Sequence, residues 1–153
     1  MGLMLKRQRL LVKRKGAKAQ RRKGEEDMNE NELSNVIIGA AIEVHKELGG
    51  PGLLEDVYEE ALCYELQLRG LEVQRQVGVV IEYKGMQLRK RLVLDLLVNG
   101  TVIVEVKSVE MHNEIYQAQA LTYLRLTKKK LGLVVNFGEK YVKDGIHRVV
   151  NDL

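Results

Sequence analysis

The chain has 153 residues, 45% of them apolar, which is enough for one domain with a real core and too few for two comfortable ones. Its single cysteine, Cys63, excludes an internal disulfide, and no apolar run approaches the ~20 residues of a membrane span. The net charge of +4 conceals a segregation: residues 1–23 carry ten Lys/Arg and no acid, leaving fifteen basic side chains against twenty-one acidic ones.

Residues 1–28 read as a basic leader. Its apolar patch, Leu10–Val12, is shorter than the roughly 7–15 residues of a secretory signal. Such an arm can bind nucleic acid or an anionic surface, but a charged run of this kind reads first as a solvated tail. Met28 also reads as an alternative translation start, followed by Asn29 or Asn31 as a helix cap. The folded domain is expected over 29–153. Nothing points to a membrane, and one cysteine fits a reducing, cytoplasmic setting.

Residues 30–48 place Leu33, Val36, Ile37, Ala40, Val44 and Leu48 at helical spacing, and "GGPG" at 49–52 stops that helix. A second helix is expected at about 53–69, ended by Gly70. Residues 72–83 alternate as a strand, "YKGM" reads as a turn, and 87–98 is the next strand. Asn99-Gly100 is a hairpin signal, followed by a strand at 101–108. A helix is expected at about 112–127, then an interior strand at 131–137, with "GIHRVV" as a last strand. The order α-α-β-β-β-α-β gives an α/β fold, a mixed sheet flanked by helices.

Within the apolar strand "VIVEVKS" (102–108), Glu105 and Lys107 are two residues apart and share a face. Burying both costs several kcal/mol unless something pairs with them. Asp95 is a second charge in an apolar run. It joins their face only if the hairpin loop is odd, as with a three-residue loop 98–100 in which Gly100 is the left-handed residue. Two adjacent carboxylates then call for a cation, Mg²⁺ being the usual choice for oxygen ligands. A nearby lysine suits phosphodiester chemistry. Spacing alone leaves this reading level with a buried Glu105–Lys107 pair or a lysine snorkelling off the sheet edge.

The pattern Asp95, Glu105-x-Lys107 resembles the PD-(D/E)xK nuclease superfamily. "GLLEDVY" (52–58), with Gly52, Glu55 and Tyr58, resembles the hallmark of its GxxExxY family, and "IIGAAIEVHKELGGPGLLEDVYEEAL" (37–62), "DLLVNGTVIVEVKS" (95–108), "QALTYL" (119–124) and "GLVVNFG" (132–138) follow in that family's order. Leu94 stands where the superfamily name has proline. The resemblance implies a restriction-endonuclease-like core and a nuclease acting on DNA with Mg²⁺ or Mn²⁺. It implies Asp95, Glu105 and Glu55 as metal ligands, Lys107 as the catalytic lysine, and Gln119 and Tyr123 as a Q-x-x-x-Y element on one helix face. A second reading keeps the fold as a catalytically idle module that binds nucleic acid or a protein.

Read without the resemblance, Glu55 is a first-turn acid favoured by the helix dipole, Tyr58 a core residue, and Gln119 a surface residue. His45 reads as a core or capping histidine sooner than a ligand. His112 and His147 have no partner at metal spacing, and Cys63 reads as a small buried residue. "RKR" (89–91) and "KKK" (128–130) can hold phosphates, but read first as solvated faces.

Overall fold

The computed structural model describes residues 28–153, so the expected leader lies outside the described residues except for Met28. Helix α1 (Glu30–Glu47) starts where Asn29 accepts a hydrogen bond from the Glu32 N–H at 2.8 Å and donates one to the Glu32 carboxylate. This is a reciprocal cap that satisfies a donor the helix leaves open. Leu33, Ile37, Ala40, Ala41 and Val44 form its buried stripe. Gly49 and Gly50, both at positive φ, stop it, and helix α2 (Glu55–Leu68) buries Tyr58, Leu62, Cys63 and Leu66 beside it.

The strands are β1 (Val73–Val79), β2 (Glu82–Tyr83), β3 (Met86–Gln87), β4 (Leu92–Val98), β5 (Val102–Lys107), β6 (Leu131–Asn136) and β7 (Ile146–Val150). Helix α3 (Ile115–Thr127) joins β5 to β6, and a 3-10 turn (Val142–Gly145) precedes β7. The main sheet runs β1-β4-β5-β6-β7, and only β5–β6 is parallel. That pair is the one with a helical crossover, as parallel neighbours require. The α1–α2 layer packs on Leu96, Val98, Val102, Val104 and Val106, whereas α3 packs on the other face with Leu92, Leu94, Ile103 and Val134. No helix among the described residues is long and apolar enough to cross a membrane.

The expected element order holds, with three corrections. The two strands expected at 72–83 and 87–98 are broken, and their ends form a separate hairpin, β2–β3. Val79 pairs with Leu92 and Glu82 with Gln87, so two residues on one side oppose four on the other and the ribbon bends away. Helix α3 begins at Ile115 rather than 112, with its N–H held by the Asn113 side chain. The β4–β5 loop is odd but comprises residues 99–101, not 98–100: Val98 pairs with Val102, and the Thr101 N–H donates to the Val98 carbonyl at 3.0 Å. The reason is Asn99, which takes the left-handed conformation (φ 50) alongside Gly100 (φ 67). Its side chain also accepts from the Glu72 N–H, fixing the turn to the start of β1.

Candidate functional site

The pairing Leu96↔Val104, carried one residue further, sets Asp95 opposite Glu105, and there the ladder stops. The Val106 N–H donates instead to Asp95 Oδ2 at 2.8 Å, so a side chain occupies the place of a backbone acceptor. Across the other edge of β4, Gln76 is left-handed (φ 52) between the pairs Arg75↔Leu96 and Val77↔Leu94. β1 and β4 swivel together here. Val73, Leu96 and Val98 face the α1–α2 layer, while Val77, Val79, Leu92 and Leu94 face α3. Asp95 sits at the pivot, where neither core claims it. Gln76 Nε2 donates to Glu59 Oε1 at 2.7 Å and lies 3.5 Å from Asp95 Oδ1.

Glu105 is only 4% exposed, and its Oε1 has no hydrogen-bond partner among the described residues. Burial, then the charge and hydrogen bonding of Asp95, push its carboxyl up to about 9, against the opposing pull of Lys107. Glu105 and Lys107 form no ion pair among the described residues, which removes the buried-pair reading. Glu55, the first residue of α2, is raised by burial, an effect that Lys107 opposes and Asp95 reinforces. Glu59 is raised by burial and lowered by its bond from Gln76. Tyr123 is raised by burial and then by Glu105 and Asp95.

The Lys107 ammonium lies over the Tyr116 ring, 4.8 Å from its centroid. Tyr116 meets His112 edge-on at 6.2 Å, and His112 stacks on His147 at 3.9 Å. His112 Nε2 is 2.9 Å from Gln117 Oε1, while burial and then His112 lower the His147 pKa. Sequence reading missed Tyr116, Gln76 and Glu59. Tyr116 had a usable signal: it precedes Gln119 by three residues and Tyr123 by seven, on one face of α3. Gln76 had none, because its role depends on a backbone conformation unusual in a strand.

The structure therefore brings Glu105, Glu55 and Tyr123 each within electrostatic range of Asp95, with Lys107 acting on both Glu105 and Glu55. Gln119 is exposed, and its side chain makes no hydrogen bond among the described residues. No three His, Cys, Asp or Glu side chains among them are gathered closely enough to hold a metal ion. The expected set of three acids is therefore not gathered at ligand distance: Asp95 and Glu105 stand opposite each other, and Glu55, at the start of α2, feels the charge of Asp95 and Lys107.

The Gly52, Glu55 and Tyr58 spacing has a local physical basis. Tyr58 OH donates to the Gly50 carbonyl at 2.6 Å and accepts from the Leu53 N–H at 3.2 Å, while its ring stacks on Phe137 at 4.6 Å. Gly52 takes φ 111, which a side chain would oppose. These contacts fix the loop that delivers Glu55, and Ser108 Oγ donates to the Leu53 carbonyl, tying that loop to the end of β5. The His45 Nε2–H donates to the Phe137 and Glu139 carbonyls, a core role.

A family model of the PD-(D/E)XK nuclease superfamily matches residues 31–149. No curated protein and no solved structure matches the chain.

Proposed function

Because the chain belongs to the PD-(D/E)XK nuclease superfamily and has its restriction-endonuclease-like α/β fold, we propose that it is a Mg²⁺-dependent phosphodiesterase that cuts DNA. The spacing of Gly52, Glu55 and Tyr58 supports a place in the GxxExxY branch. The observation that carries this reading is the buried, partnerless Oε1 of Glu105 beside Asp95. An all-oxygen pair of this kind fits a hard divalent cation, which Asp95 and Glu105 would hold with waters filling its shell, Glu55 supporting it from α2. Such an ion supplies Lewis acidity to a phosphodiester and lowers the pKa of an attacking water.

Lys107 stabilises negative charge building on the phosphorus oxygens. Tyr116 holds that ammonium in place by a cation–π contact. Gln119 and Tyr123 position the nucleic acid from α3. The buried Cys63 accords with a reducing, cytoplasmic setting.

The test is calorimetric titration with Mg²⁺ or Mn²⁺, beside cleavage of labelled single- and double-stranded DNA, for wild type and Asp95→Asn. The amide retains an acceptor for the Val106 N–H and removes the charge. Cation binding and cleavage both vanish in the variant. A wild-type protein that binds neither cation defeats the proposal.

A further inference from the structure

The β2–β3 hairpin belongs to neither core. All six residues from Glu82 to Gln87 are exposed, Tyr83 at 60% and Met86 at 62%. Tyr83 pairs with Met86, so Lys84 and Gly85 alone make the turn, both at positive φ. Asn, Asp or Gly suits the first of these positions better than lysine does. The chain nevertheless places an ammonium at the tip, over the Tyr83 ring.

The four residues that oppose two at the bend are Leu88, Arg89, Lys90 and Arg91. Arg91 is anchored, its stem lying across β1 at Gly78, where an added Cβ would meet it at 3.5 Å. Lys84, Arg89, Lys90 and Arg91 are exposed and form no ion pair among the described residues. From Tyr83 to Leu94 there is no acidic residue, in a described chain where acids outnumber Lys/Arg.

Position distinguishes this cluster from Lys128–Lys130. The latter precedes Leu131, which pairs with Val102 at the end of β5 remote from Lys107. Arg91 instead immediately precedes Leu92, the first residue of β4, and because β4 and β5 are antiparallel that is the end of the sheet at which β5 reaches Lys107. It lies four positions before Asp95, or ~13 Å at about 3.3 Å per residue. That corresponds to about four phosphates of one B-form strand.

We propose that the β2–β3 hairpin and residues 89–91 form a wing that grips the nucleic-acid substrate a few nucleotides from the scissile bond. The cations take phosphates, and Tyr83 and Met86 lie against apolar base edges such as the thymine methyl, since a two-stranded ribbon fits the major groove. The inference rests on the nuclease reading and names the element that gives that site its affinity.

The test is fluorescence anisotropy with a labelled duplex, using the full chain in EDTA, across 50–200 mM salt. EDTA separates binding from cleavage. Arg89→Ala/Lys90→Ala/Arg91→Ala reduces the log–log salt slope by about 2–3 and weakens binding at least ~10-fold, because each phosphate contact contributes about 0.9 to the slope. Arg89→Ala/Lys90→Ala, which keeps the Arg91 packing, shows about two-thirds of that change. Tyr83→Ala/Met86→Ala weakens binding with the slope intact, and Lys128→Ala/Lys129→Ala/Lys130→Ala changes neither. Residues 1–27 are present throughout, so their charge cancels in the differences.

Wild-type slope and affinity in a folded double variant overturn the wing. If that variant binds like wild type while the wild type cleaves DNA, the wing alone is wrong. If the wild type binds no nucleic acid, the nuclease reading falls with it.

Discussion

At the residue scale, Glu105 is a carboxyl group whose charged form burial disfavours. Without a cation its folded pKa is about 9, against an ordinary 4.5. The folded state therefore binds the proton more tightly than the unfolded chain. The stabilisation is complete below about pH 4.5 and is lost as pH rises towards 9. The slope from this group is at most ~1.4 kcal/mol per pH unit. Urea denaturation in EDTA should show Glu105→Gln more stable than wild type at pH 8, and the difference should shrink at pH 5. Glu55 and Glu59 shift in the same direction but are common to both proteins. Tyr116 offers a second residue-level test. Removing a cation–π contact costs about 0.5–2 kcal/mol, so Tyr116→Leu should lower kcat ~2- to 30-fold with KM little changed, and Tyr116→Phe should restore it. Steady-state kinetics on both variants measures this.

At the scale of elements, the start of α2 couples fold to site. Tyr58→Phe keeps the stack on Phe137 but deletes the bonds to the Gly50 carbonyl and Leu53 N–H. It should cost about 1–2 kcal/mol in thermal or urea unfolding. It should also weaken cation binding in calorimetry, although every acid is untouched, because Glu55 loses its fixed approach. The helices and central strands were legible because their apolar periods are clean: Leu33, Ile37, Ala40 and Val44 in α1, and alternate burial through Leu92, Leu94, Leu96 and Val98 in β4. Alternation hid the swivel, however. The same even-numbered residues of β4 serve opposite cores on either side of Asp95, and only the backbone at Gln76 reveals it. The loop register was also hidden, because it turns on Asn99 adopting a left-handed conformation more usual for glycine.

At the scale of the whole molecule, two cores share one sheet, and the acids occupy the seam between them. A bound cation would relieve the strain at that seam and so stabilise the entire domain. At a free concentration of 100 times Kd the gain is about 2.7 kcal/mol. Thermal melts should therefore rise with added Mg²⁺ or Mn²⁺ in wild type and stay flat in Asp95→Asn. The superfamily was readable, because the order of its motifs along the chain is distinctive. The wing was not, since Arg89–Arg91 read as an ordinary solvated run until the bend placed it at the site end of the sheet.

The bond from the Val106 N–H to Asp95 Oδ2 alters what the presence of each acid signifies. Asp95 completes a sheet, so a descendant that abandoned catalysis would still be under selection to keep it. Glu105 has no such second employment: its orphaned oxygen is a standing penalty on folding. Random substitution in an idle copy would erase Glu105 first, and Gln or Leu there would be an improvement. Glu105, more than Asp95, is thus the residue whose presence the fold alone does not explain.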